Sequence, residues 1–79
     1  MISFEDLNIA KCADGLVPVI VQDSVSLKVL MLGYMNAEAL RRSQEEGRVT
    51  FWSRSRGCLW TKGETSGNYL YIEDILVFP

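Results

Sequence analysis

The sequence predicts a small, mainly antiparallel, β-rich α+β domain, and three observations carry that expectation. Short apolar stretches at 16–22, 28–35, 48–52, 59–64 and 69–78 are separated by polar or glycine-containing connections, as strands joined by hairpins are. One stretch, 37–46, consists of strong helix formers between a capping asparagine and a glycine. The chain has 79 residues, which suits a single domain, taken here as 1–79, whose thin core invites help from a partner chain or a metal.

Taken in order, Ser3 followed by Phe4, Glu5, Asp6 and Leu7 reads as one capped helical turn. Its acids lie where the helix dipole favours them, with Phe4, Leu7 and Ile9 facing the sheet. Ala13, Asp14 and Gly15 break the chain, and 16–22 follows as a strand of mainly β-branched residues. Pro18 lacks a backbone donor, so that strand is expected at an edge or bulged there. Residues 23–27 form a polar connection of hairpin length. The strand at 28–35 has Leu30, Leu32 and Tyr34 on one face and Val29, Met31 and Met35 on the other, which predicts burial on both faces. Asn36 is the expected N-cap of a short peripheral helix with Ala37, Leu40 and marginally Ser43 inward, Arg41, Arg42, Glu45 and Glu46 in solvent, and Gly47 at its end.

Strand 48–52 is expected to pair with 59–64. Period-two alternation would then place Trp60, Lys62 and Glu64 on one face. Gly63 within it marks a bulge or a close approach of backbone to a ligand. The final stretch alternates Tyr69, Tyr71, Ile75 and Val77 with Leu70, Ile72, Leu76 and Phe78. That leaves apolar side chains on both faces of a chain too short to cover both, and a sheet-mediated or intertwined homodimer is the consequence drawn.

Composition narrows the function. A net charge of -2 argues against nucleic acid or an anionic membrane as partner, because both call for a basic surplus. Cys12 and Cys58 lack metal or redox spacing and read as ordinary thiols. No apolar run approaches the length of a bilayer span, and the cytoplasm is the expected location.

The chemistry concentrates at 53–68, SRSRGCLWTKGETSGN, with three cations, one carboxylate, five hydroxyls and three glycines. Guanidinium groups match phosphate oxygens with a planar fork of donors, and glycines let backbone amides approach an anion, so a phosphorylated small molecule is the expected ligand. A solvated polar hairpin is the plainer reading of the same residues. Trp60 is either a flat surface for a purine or part of the core. Glu64 either handles a water molecule or pairs with Lys62.

This run, taken with DGLVPVIVQD at 14–23 and VLMLGYMNAEAL at 29–40, closely resembles phosphoribosyl-AMP cyclohydrolase of histidine biosynthesis, over about residues 5 to 77. The resemblance implies a hydrolase of amino-acid biosynthesis that opens the N1–C6 bond of the purine ring in 1-(5-phosphoribosyl)-AMP. It also implies homodimers that use zinc and magnesium. Zinc would make water nucleophilic near neutral pH. The expected substrate contacts are Ser53, Arg54, Ser55 and Arg56 for one phosphate, and Thr65, Ser66, Gly67 and Asn68 for the other. Trp60, Thr61 and Gly63 complete the binding set, and Lys62 and Glu64 are the candidate catalytic pair.

One departure concerns the metals. The family continues past the strand matching 69–77 into cysteine-, acid- and histidine-bearing segments that supply the ligands. Here there is no histidine, and neither cysteine matches a ligand position, so no metal ligand is assigned to this chain. It corresponds to the first two thirds of the enzyme, and on this reading is inactive by itself. The alternatives are a non-catalytic phosphoribosyl-nucleotide-binding module and a β-barrel stacking single-stranded nucleic acid on Phe51, Trp52, Trp60, Tyr69 and Tyr71.

Overall fold

The computed structural model describes residues 15–77. The expected helical turn at Ser3 with Phe4, Leu7 and Ile9, the thiol of Cys12, and Phe78 and Pro79 lie outside the described residues.

β1 (Val17–Gln22) and β2 (Val29–Met35) pair as an antiparallel hairpin, Ile20 opposite Leu32 and Val19 opposite Gly33. Pro18 stands on an edge strand as expected, but the ladder irregularity falls between Val21 and Gln22. Asp23 builds the connection. Its Oδ1 accepts the amides of Val25 and Ser26 at 2.9 and 2.8 Å, and those donors hold its carboxyl below the ordinary aspartate value. Leu27 completes the turn in a left-handed conformation, φ 64°.

Alternation along the hairpin sends Val19, Val21, Met31 and Met35 to the core. The other face stays open: Ile20 is 67% exposed, Leu30 50% and Leu32 57%. Burial of β2 on both faces is therefore corrected, because among the described residues nothing large enough lies over its second face.

α1 (Ala37–Glu46) follows with both caps as expected. The Asn36 side chain accepts from the Ala39 amide at 2.8 Å, and Gly47 closes the helix in the left-handed region while donating to Ser43 O. Its buried stripe is Ala39, Leu40 and Ser43, with Ala37 exposed, so the stripe begins two residues after the expected start. Arg41 bridges Glu38 and Glu45 on the solvent side, an exposed lattice that contributes little.

β3 (Thr50–Ser53) and β4 (Cys58–Thr61) form a second two-stranded antiparallel sheet, so the architecture is α+β with two small sheets and one helix. Phe51, 1% exposed, joins the layers: its ring lies against Gly33 of β2 and 5.4 Å from the Trp60 ring on β4. The barrel alternative is not favoured, because the described strands make two separate pairs and Phe51 is inaccessible to a base.

Of the strand expected at 69–78, the described part, 69–77, does not form a strand. That segment runs alongside residues 47–49, just before β3, with a single bridge, Arg48 to Tyr71, and hydrogen bonds from Val49 N to Leu70 O and from Ile72 N to Gly47 O. Leu70, Ile72 and Ile75 pack on the core while Tyr71 and Leu76 are exposed. Among the described residues no helix is long and apolar enough to cross a membrane.

Ser43 is the polar joint between helix and sheet. Its hydroxyl donates to Thr50 O at 3.1 Å and accepts from Thr50 N at 2.9 Å, all buried. Ser43→Ala leaves both backbone groups unsatisfied, and the expected loss is about 1–3 kcal/mol of unfolding free energy. Urea denaturation checks this, and a change within about 0.5 kcal/mol, the size of an ordinary surface substitution, would show the joint to be dispensable.

Candidate functional site

The polar stretch divides between the two ends of the β3–β4 hairpin. At the closed end a five-residue turn carries Ser53, Arg54, Ser55 and Arg56. Ser53 O accepts from Gly57 N at 2.9 Å, Ser53 Oγ accepts from Arg56 N at 3.3 Å, and the Ser53 and Ser55 hydroxyls are 3.3 Å apart. The serines thus hold the turn that presents both arginines. Arg56 is exposed on it. Arg54 is placed more narrowly, with its guanidinium carbon 4.2 Å from the centroid of the Tyr34 ring on β2.

At the open end β4 stops at Thr61, shorter than the expected 59–64 strand, and the chain turns sharply through 62–67. The common strand face predicted for Trp60, Lys62 and Glu64 is therefore lost. Instead Trp60, Thr61, Lys62, Gly63, Glu64, Thr65 and Ser66 together line an open depression of about 270 Å³. Trp60 packs on Phe51, as its core reading expects, and also forms one wall of that depression.

The turn is held by its own groups. Glu64 Oε2 accepts from Thr61 N at 3.0 Å, Glu64 N donates to Thr61 O at 3.0 Å, and Gly67 N donates to Gly63 O at 2.6 Å. No ion pair joins Lys62 to Glu64; the carboxylate is tethered to the backbone of Thr61. Asn68 N donates to Ser66 Oγ at 3.3 Å, so the amides of Gly67 and Asn68 are engaged within the turn. Thr61 Oγ1 lies 2.8 Å from Thr50 Oγ1, which fixes its hydroxyl to β3. Gly63 is buried, and the close approach that it permits is to Asn68 and Tyr69 of its own chain.

From Ser53 at one end to Thr50 at the other, the hairpin spans roughly 10 Å at 3.3 Å per residue. The arginine turn and the hydroxyl turn are thus two clusters on one rigid rod. Sequence reasoning missed Tyr34 and Thr50. Tyr34 looked like one more apolar member of β2, and only the packing of β2 beside β3 brings it under Arg54.

Zinc needs three or four nitrogen, sulfur or carboxylate donors converging within about 2.3 Å of the ion. Among the described residues no three histidine, cysteine or acidic side chains gather, and Cys58 is exposed at the start of β4. The described residues do not fit a catalytic metal.

Comparison with known proteins bears on the same stretch. The phosphoribosyl-AMP cyclohydrolase family profile matches residues 31–77. The histidine biosynthesis bifunctional protein HisIE of Buchnera aphidicola subsp. Baizongia pistaciae is 58% identical over 74 residues, covering 94% of this chain and 35% of that protein. The proteins of the same name from Escherichia coli K12 and Xanthomonas axonopodis pv. citri are 64% and 63% identical over 62 residues, 78% of this chain and 30% of theirs. The chain spans about a third of the length of the curated relatives it matches.

Proposed function

Because the chain belongs to the phosphoribosyl-AMP cyclohydrolase family, we propose that its residues grip 1-(5-phosphoribosyl)-AMP. The intact enzyme then opens the purine ring by hydrolysis at N1–C6, in the cytoplasm, as a step of histidine biosynthesis. One observation carries the reading: a single hairpin holds a two-arginine turn at one end and a hydroxyl-rich turn beside an open depression at the other. The substrate has a phosphate at each of its two ends. Arg54 and Arg56, with the serines at 53 and 55, take one. Thr65 and Ser66, with Gly67 and Asn68 shaping the turn, take the other, and the indole of Trp60 lies beside the base.

Glu64, tethered by the Thr61 amide, orients the water that attacks the ring, and Lys62 adds positive charge at the same rim. Zinc and magnesium are the metals expected for the intact enzyme, with ligands from none of the described residues, so this chain by itself binds substrate without opening it. Homodimerisation is supported by the uncovered apolar face of Ile20, Leu30 and Leu32. Among the described residues no set favours nucleic acid or membrane as a partner.

Calorimetric titration of the 79-residue chain with 1-(5-phosphoribosyl)-AMP tests this grip. Binding is expected, and an Arg54→Ala, Arg56→Ala double variant should weaken it by about 10- to 100-fold, the usual worth of one or two charge-assisted hydrogen bonds. Equal affinity in the double variant would refute the assignment.

A further inference from the structure

We propose that Tyr34 is a positioning residue for the phosphate site: its ring holds the Arg54 guanidinium in the orientation that receives a substrate phosphate. The inference rests on the reading of Arg54 given above and adds a residue from a different sheet. An arginine in an exposed turn has four rotatable side-chain bonds, and confining them on binding costs on the order of 2 kcal/mol of rotamer freedom. Arg54 has part of that freedom removed already. Its guanidinium lies over the Tyr34 ring at 4.2 Å, well inside the range of about 6 Å at which a cation is attracted to the face of an aromatic ring.

A guanidinium held over an aromatic face by its central carbon keeps its N–H bonds in its own plane, pointing outward from that carbon. That is the presentation that a planar pair of phosphate oxygens needs. Tyr34 can serve as a fixed platform because it is half-buried near the end of β2, paired with Pro18 of β1, and followed by buried Met35. The turn that carries Arg54 is fixed from its other side by the Ser53 contacts to Gly57 and Arg56. Two independent elements therefore determine where the charge sits, and a lysine at 54 would offer a point charge in place of the planar fork of donors.

The test is a double-mutant cycle, read by titrating the 79-residue chain with 1-(5-phosphoribosyl)-AMP. The variants are Arg54→Ala, Tyr34→Leu, their combination, and Tyr34→Phe, each checked for thermal unfolding. Tyr34→Leu, which keeps bulk and removes the ring face, is expected to weaken binding about 2- to 5-fold, the strength of an exposed cation–ring contact. Tyr34→Phe should retain wild-type affinity. The combined variant should bind no more weakly than Arg54→Ala alone, because without the guanidinium the ring has nothing to hold.

A Tyr34→Leu loss that adds in full to that of Arg54→Ala would make Tyr34 a merely structural residue and overturn the proposal. Wild-type affinity in Tyr34→Leu, alongside a clear loss in Arg54→Ala, would overturn it while leaving the phosphate site standing. Wild-type affinity in Arg54→Ala, or no binding by the wild-type chain, would remove the phosphate site and this inference with it.

Discussion

Phe51→Ala is expected to lower the unfolding free energy by about 3–5 kcal/mol, a large share of what a 79-residue domain has, since stability at this size runs to about 4–12 kcal/mol. The reason lies in what surrounds the ring. Phe51 is 1% exposed, and on one side it lies so close over Gly33 that a Cβ there would come within 2.5 Å of its ring carbons. On another side it meets Trp60 across the β3–β4 pair. A glycine has no side chain to move into the vacated space, and the strands on either side are held by their ladders. The cavity therefore stays largely open and its cost is not relieved by relaxation. Phe51→Leu fills part of that space and should lose only about 1–1.5 kcal/mol. Urea denaturation followed by circular dichroism separates the two, and an alanine variant within about 1 kcal/mol of wild type would mean that the sheets are joined by something else.

Gly63→Ala is the second large effect, expected at about 2–5 kcal/mol together with loss of the substrate binding proposed for the hydroxyl turn. Gly63 has φ +93°, where a Cβ is strained, and the added methyl would meet Asn68 O at 2.3 Å, Asn68 C at 2.4 Å and Tyr69 N at 2.6 Å. All three are backbone atoms, so no rotamer change relieves the contact. The turn must open, which breaks the Gly67 N to Gly63 O hydrogen bond and pulls Asn68 and Tyr69 away from the segment that pairs with Val49. Gly57→Ala is the matched control. It too has a positive φ, +63°, but nothing lies within 4 Å of its Cβ position, so it should lose only the left-handed penalty of about 1–2 kcal/mol. Equal losses in the two variants would show that the conformation of Gly63, and not its contact with the returning chain, sets its importance.

These two positions also show where reading from sequence stops. Phe51 was legible as part of a strand, yet nothing in its neighbours said that it would lie on a glycine eighteen residues earlier in the chain. Gly63 was legible as a place where backbone comes close to something. The structure gives the neighbour as the chain itself, because β4 ends at Thr61 and the turn folds back on its own amides. Glu64 went the same way, with the Thr61 amide as its partner in place of Lys62.

What the sequence determined by itself is what depends on neighbouring residues. The β1–β2 hairpin, the helix with Asn36 and Gly47 at its ends, and the concentration of cations and hydroxyls at 53–68 all follow from conformational preference, capping and periodicity, which act within a few residues. What the tertiary structure decided are the features that need a partner distant along the chain. The described part of the last stretch, 69–77, has strand-forming residues but found one bridge instead of a ladder, because a strand exists only where a neighbouring edge is aligned with it. The inward stripe of the helix begins at Ala39 and not Ala37 because the sheet beneath sets its rotation. Tyr34 lies under Arg54 for the same reason. That contact joins two sheets, and packing between sheets is written in shape and volume, which no local pattern of residues encodes.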